Sequence, residues 1–462
     1  MKIKTIIASE IAALDSNVFT GGGTDDTAAL QAALDEALIC GGVRLIMDGA
    51  ALVRGLKLHS NTTIECLTPD CGFYLADNSN CAVVTNDHWD VYSLNTRNIT
   101  LIGGTYNNNC LHQEHDVPLE ADEQIAKWME VFEGNHWIYG MEFYGVENLT
   151  VRDLIIRNQR TFAFMLGGFR RCTIENVWLD LPDRIYGNNQ DGFHFWGPGE
   201  FLTVRNVGGC VGDDFMNLGP DEHDLRSSIT DVLVDGVFLD DAYQAIRLLS
   251  RGKGRLDRVT IRNVTGGYHG LGFYINNWYT DELYGDFGNI KFENIDLRPL
   301  STVYIKDPFL FAIGGNVECM SFKNIHHHRA EYKHNLFQIG RTAYDDKYNR
   351  EHMLDAHIGT LIVDGLYVDD VDQYSADTDY MYLRAKVDTL ILRDIDIIRS
   401  PEIKPCGTFL RTCPGSELGS LLIDRVYAQK LEHFADLTEG KVNRVEATNA
   451  LEEGTSGEFI KR

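Results

Sequence analysis

Val151-Arg152-Asp153-Leu154, Ile174-Glu175-Asn176-Val177 and Val204-Arg205-Asn206-Val207 are copies of one short pattern. An apolar residue is followed by any residue, then Asn, Asp, Gly or Arg, then a second apolar residue. The pattern continues through Val234-Asp235-Gly236-Val237, Ile261-Arg262-Asn263-Val264, Phe292-Glu293-Asn294-Ile295 and Phe322-Lys323-Asn324-Ile325. Val363-Asp364-Gly365-Leu366, Leu392-Arg393-Asp394-Ile395 and Ile423-Asp424-Arg425-Val426 complete it. Successive copies are 23, 30, 30, 27, 31, 30, 41, 29 and 31 residues apart. A recurring step in this range marks a stacked-repeat architecture.

Each copy reads as strand, tight turn, strand. The apolar residues alternate in short runs rich in Val, Ile, Phe and Tyr, which is the period of a strand. Helical repeats would need apolar spacings of three and four. Asn, Asp and Gly at the third position tolerate the left-handed backbone of a sharp corner. Only 10 prolines interrupt 462 residues, as long central strands require. A sandwich would not keep a near-constant step over so many copies. The expected fold is all-β, a single-stranded right-handed parallel β-helix. One domain is expected over 1–462, with a capping helix at about 20–42, coils at about 43–439 and a charged tail at about 440–462.

The cap is read from Thr24-Asp25-Asp26-Thr27, which opens a segment rich in Ala and Leu that Gly41-Gly42 closes. Thr24 or Asp25 is the expected N-cap and Gly41 the stop. Three stretches break the repeat and read as loops: 107–135, Trp278-Tyr279-Thr280-Asp281, and the region of Tyr344-Asp345-Asp346-Lys347-Tyr348. Loops held on a rigid scaffold carry specificity.

The formal charge of −26 argues against nucleic acid and anionic membranes as partners. The segment Met1–Glu10 lacks the apolar run of a signal peptide, and no run of about 18 apolar residues exists to span a bilayer. The ten cysteines form no CxxC pair and read as reduced thiols, so the expected location is cytoplasmic. A homo-oligomer is left open.

Asn189-Gln190-Asp191-Gly192 and Gly212-Asp213-Asp214 carry the chemistry. Asp191 and Asp213 are 22 residues apart, close to one coil. Stacked coils lie about 4.8 Å apart, so three carboxylates would share one face. Like charges so placed oppose each other's ionisation, and acid–base cleavage of a glycosidic bond uses such a cluster.

Taken together, these motifs resemble glycoside hydrolase family 28, the polygalacturonases, within the pectin-lyase-like β-helix superfamily. The resemblance covers most of the chain. Thr24-Asp25-Asp26-Thr27 is similar to the family's N-terminal opening, and Gly103-Gly104-Thr105 to its glycine-rich strand. Asn189-Gln190-Asp191-Gly192 and Gly212-Asp213-Asp214 resemble its Asn-Thr-Asp-Gly and Gly-Asp-Asp motifs, in order and in spacing. The resemblance implies that Asp213 is the general acid, that Asp191 and Asp214 hold the attacking water, and that the anomeric centre inverts. The chain departs from the family further on. The family has Gly-His-Gly about one coil after the aspartate pair and Arg-Ile-Lys on the following coil; here Ala245-Ile246-Arg247-Leu248-Leu249 comes first, with one arginine and no lysine, and Tyr268-His269-Gly270 follows one coil later as a displaced His-Gly in the wrong order. The pair that grips a uronate carboxylate in the family is thus only half matched, which leaves the sugar open.

The substrate-binding candidates are Asn189, His194, Trp196, Arg247, His269, Tyr274 and Trp278. Strand alternation puts His194 opposite Asp191 unless a bulge intervenes. Arg247 is expected to face outward beside the aspartates, as a ligand-binding or pKa-setting cation, and the aromatic residues to stack on sugar rings. His326-His327-His328 reads as a strand or turn with diverging side chains, and no metal or other cofactor is expected. The leading expectation is an inverting glycoside hydrolase acting from one end of an oligosaccharide. The alternatives are a lyase cleaving a uronate glycan by β-elimination, with calcium on the aspartates, and a non-catalytic carbohydrate-binding β-helix.

Overall fold

A computed structural model describes residues 3–114, 137–185, 189–250, 252–275, 285–300, 309–328, 335–340 and 356–462. The expected loops Trp278-Tyr279-Thr280-Asp281 and Tyr344-Asp345-Asp346-Lys347-Tyr348 lie outside the described residues, as does most of the 107–135 stretch.

The strands pair in parallel from one coil to the next, and the fold is a right-handed parallel β-helix. The repeat motif sets the register. Within the first compact unit, Met1–Asn217, Val151 pairs with Ile174 and Ile174 with Val204. Within the second, Leu218–Arg462, Val234, Ile261, Phe292, Phe322, Val363, Leu392 and Ile423 pair in succession. Every motif copy therefore sits on its predecessor within its unit.

The corner residues explain why. Asp153, Asn176, Asn206, Gly236, Asn263, Asn294, Asn324, Gly365, Asp394 and Arg425 all have positive φ, between 48° and 88°. Asn and Asp bear this backbone at lower cost than other non-glycine residues. They add a second contribution, because the corner side chains bond along the stack. Asn294 Nδ2 donates to Asn263 Oδ1 at 3.0 Å, and Asn324 Nδ2 donates to Asn294 Oδ1 at 3.0 Å. Asn176 donates in the same way to Asp153 at 2.8 Å.

Inside the coils, alternating side chains form continuous apolar stacks. In the second unit the rings of Phe292 and Phe322 lie 5.0 Å apart at 4°, and those of Phe311 and Phe337 5.1 Å apart at 18°. These phenylalanines are fully buried. The ten cysteines carry free thiols. Among the described residues no helix is long and apolar enough to cross a membrane.

Two expectations shift. The cap helix runs Thr27–Cys40 with Asp26 at the N-cap position. Asp26 turns its carboxylate away, to the Ala13 and Leu14 amides, while Asp25 accepts from the Thr27 amide at 3.0 Å. Gly41 ends the helix at φ 89°, as its freedom from a Cβ allows. The expected tail from about 440 holds a further rung, Lys441–Glu453, paired with Glu417–Gln429. It reads as a tail because its side chains are mostly exposed.

The corner ladder makes a direct test. Asn294→Ala removes both ladder bonds and forces alanine into the left-handed region, at about 1–2 kcal/mol. Asn294→Gly removes the bonds without that strain. Urea unfolding should rank wild type above Asn294→Gly, and Asn294→Gly above Asn294→Ala. Equal midpoints for the two variants would refute the conformational role of the corner.

Candidate active site

The site in the first unit is built at the turns that enter two successive strands, Phe193–Cys210 and Asp214–Gly219. Backbone hydrogen bonds lock these turns together. Gly192 N–H donates to Asp214 O at 2.8 Å, Gly212 N–H to Gln190 O at 2.9 Å, and Ala163 N–H to Asp191 O at 2.9 Å. Gln190 is fully buried and clamps the turn from both ends. Its Nε2 donates to Gln159 O at 2.8 Å, and its Oε1 accepts from the Ile185 amide at 2.7 Å. Gly192 is required by close approach, since a Cβ there would run into the Phe215 carbonyl oxygen.

These locks bring the three aspartates together. One carboxylate oxygen from each of Asp191, Asp213 and Asp214 lies within 4.8 Å of the other two. Asp191 and Asp214 are each 1% exposed, while Asp213 is partly exposed. Buried carboxylates without compensation are costly, and here a neighbouring imidazole supplies part of it. His194 Nδ1 lies 3.0 Å from Asp191 Oδ2, and Asn217 Nδ2 lies 2.8 Å from His194 Nε2. This geometry suits Nδ1–H donating to Asp191 and Nε2 accepting from the Asn217 amide. Phe162 holds its face, with ring centroids 4.0 Å apart at 3°. Trp196 meets its edge at 6.0 Å.

The expectation that His194 faces away from Asp191 is therefore overturned. Alternation applies within a strand, and the strand begins at Phe193. Asp191 lies in the turn before it and bends toward the His194 side. Asn217 was missed, although a signal existed: Asp191 to His194 and Asp214 to Asn217 are the same three-residue step on consecutive coils. Stacked coils make such equivalents neighbours.

Around this centre lies an aromatic layer on the outer face. Val91, Tyr139, Tyr144, Phe162 and Met165 form a buried cluster, with Trp137 and Trp196 packed against it. Trp89 is 64% exposed and stacks on Tyr144 at 5.5 Å and 17°. Glu142 sits in this layer. It pairs in register with Met165, and Met165 with His194, so the three lie in one outward row. Burial pushes the Glu142 carboxyl up to about 7, against a hydrogen bond from Tyr144 Oη at 3.2 Å that favours ionisation. Nothing in its own segment marks Glu142, because a carboxylate in a strand ordinarily reads as a solvated face.

Asn189 lies partly exposed in the turn beside Gln190. The remaining candidates belong to the second unit. Arg247 and Tyr274 pair in register, with the guanidinium 5.1 Å from the ring centroid. Arg247 is partly exposed. His269 Nε2 lies 2.8 Å from Asp241 Oδ1.

No family model matches the sequence, and no curated protein matches it. The fold does match solved structures. An exopolygalacturonase from Thermotoga maritima is similar over 98% of this chain and 92% of that one, with 13% identity and a TM-score of 0.51. A tailspike protein of E. coli bacteriophage HK620, solved with a pentasaccharide, is similar over 96% of this chain and 78% of that one, with 11% identity and a TM-score of 0.57. The A-module of an Azotobacter vinelandii mannuronan C-5 epimerase is similar over 96% and 98%, with 11% identity and a TM-score of 0.50. These likenesses establish the parallel β-helix, the fold that the family 28 resemblance implies.

Glu142 yields a pH prediction. In the folded chain its carboxyl keeps a proton to about pH 7, whereas its ordinary value is 4.5. Between those values the folded state binds the extra proton, so stability falls as pH rises through the window. The full penalty, on the order of 3 kcal/mol, is present above pH 7. Glu142→Gln should therefore stabilise the protein at pH 8 and change little at pH 4.5, read by urea unfolding at both. A variant no more stable than wild type at pH 8 would contradict a neutral buried Glu142.

Proposed function

We propose that the chain is a glycoside hydrolase that cleaves an oligosaccharide of pectin or a related glycan with the Asp191, Asp213 and Asp214 trio. One observation carries the reading: three carboxylates within 4.8 Å of one another, two of them almost fully buried. No structural need for this crowding is apparent, and general acid–base chemistry uses it. The shared fold of a polygalacturonase and a pentasaccharide-bound tailspike supports a glycan as ligand.

The roles follow from environment. Asp213 is the most exposed of the three, so it can meet the leaving oxygen and donate its proton as the C1–O bond breaks. Clustering favours a retained proton on one member of the trio. Asp191 and Asp214 lie deeper and hold the water that attacks C1, taking the proton that water loses. His194 is a positioning residue. Its Nδ1–H bond to Asp191 suits the carboxylate form that a base needs. Exposed Trp89 and partly exposed Trp196 offer apolar faces to a sugar ring.

The crowding also bears on stereochemistry. Inverting enzymes usually separate their carboxyl groups by roughly 6.5–9.5 Å, and retaining ones by about 5–5.5 Å. The trio is tighter than the usual inverting spacing. Inversion, the outcome implied by the family resemblance, then requires water held by Asp191 and Asp214 jointly rather than spaced across from a single acid.

The same three oxygens also suit calcium, which keeps a β-eliminating lyase as the second reading. Such a lyase needs a free base beside the sugar. In the first unit His194 does not serve, because both its nitrogens are engaged. Hydrolysis is the better fit.

Reducing-sugar release from a panel of plant and microbial oligosaccharides tests the proposal, with Asp213→Asn in parallel and ultraviolet absorbance recorded. The expected result is release without absorbance, lowered about 10²–10⁴-fold in the variant, with an inverted anomer in the first product by NMR. Absorbance that grows with cleavage and vanishes with chelator would establish the lyase instead. A retained anomer would make one aspartate a nucleophile.

A further inference from the structure

A second cluster, in the Leu218–Arg462 unit, has no part in the reaction proposed above. It spans three consecutive rungs, Asp286–Pro299, Asn316–His328 and His357–Asp370. Asp296 pairs in register with His326, and His328 with Asp369. The run His326-His327-His328 does diverge at its centre. His327 is fully buried, with Tyr268 Oη at 3.0 Å from its Nε2. Strand alternation, however, returns His328 to the side of His326, and their ring centroids lie 4.0 Å apart.

Both imidazoles face one carboxylate. His326 Nδ1 lies 3.5 Å from Asp296 Oδ2, and His328 Nε2 lies 3.3 Å from Asp296 Oδ1. Donor atoms of all three residues lie within 4.8 Å of one another. Around a tetrahedral zinc, with bonds of about 2.0–2.2 Å, neighbouring ligand atoms sit roughly 3.4 Å apart. The spacing here is therefore already close to a coordination shell.

Behind the imidazoles stands Asp369. It accepts from His328 Nδ1 at 3.1 Å and lies 3.9 Å from His326 Nε2. A carboxylate behind a histidine fixes the tautomer that leaves the other nitrogen to a metal. His326 Nε2 and Asp369 Oδ1 are also buried without a hydrogen-bond partner, a costly arrangement for ordinary surface ion pairs. Two imidazolium rings this close would repel. Two neutral rings around a divalent cation would not, and Asp296 and Asp369 would balance its charge.

We propose that His326, His328 and Asp296 bind a late first-row divalent cation, with Asp369 orienting His328. Two nitrogens and one carboxylate suit zinc or its neighbours better than calcium or magnesium, which take oxygen ligands. The cation would tie two rungs together, Asp286–Pro299 and Asn316–His328, and keep at least one coordination position open to solvent or a ligand.

The test titrates zinc chloride into the untagged full chain, stripped of metal, by calorimetry. The expected result is one equivalent of zinc per chain at this site, abolished in the His326→Ala/His328→Ala variant and retained in Asp191→Asn. Asp369→Ala should weaken binding by about 10–100-fold. Cobalt in place of zinc should give a visible absorption band in wild type that the double variant lacks. An unchanged thermal midpoint for the metal-free double variant would show that it still folds. Absence of zinc uptake by wild type, or an equivalent that survives the double variant, would overturn the proposal.

Discussion

The coils depend on a backbone conformation that most side chains avoid. At each motif corner the chain must turn sharply enough to begin its next face, and it does so through one residue at positive φ. Asn and Asp occupy most of these corners because their short polar side chains lower the cost and bond to the corner on a neighbouring coil. A one-residue slip would place Val, Ile or Leu in the left-handed region and turn the apolar stacks outward. Corner and core thus select the same register, and that agreement is what specifies one structure.

Register then acts on function. Asp191 and Asp213 are far apart in sequence, and the geometry of the site is the geometry of stacking. The backbone bonds between Gly192 and Asp214 and between Gly212 and Gln190 are ladder bonds extended into the turns. They hold the aspartates against mutual repulsion, which flexible loops would relieve by moving apart. A rigid scaffold can keep acidic groups at a separation that solution chemistry would not. His194, pinned by Phe162 and Asn217, extends that rigidity to the carboxylate itself.

The repeat, the corners and the aspartate trio were legible in the sequence because each is a statement about period. The side-chain network around the trio was not. His194 was misplaced because the strand start falls between it and Asp191, and element boundaries are the least readable feature of a sequence. Phe162 reaches His194 from a neighbouring turn, and nothing in its own segment marks that contact. Glu142 escaped notice for a different reason. Its burial comes from Tyr144 and the outer aromatic layer, and outward-facing positions on a helical solenoid ordinarily meet water. The Lys441–Glu453 rung was hidden for another reason, since its side chains are mostly exposed and show little apolar alternation.

Outward rows are therefore the informative positions of this fold. Inward positions repeat the same apolar demand on every coil, so their side chains report packing alone. An outward row carries no such demand, and neighbouring rungs bring its members to about 5 Å. Titratable residues that recur in one row become a cluster without any local sequence signature. The pairings of Asp296 with His326 and of His328 with Asp369 in the second unit arise in this way. Reading a β-helix for function thus means reading across the coils, at the repeat step, rather than along them.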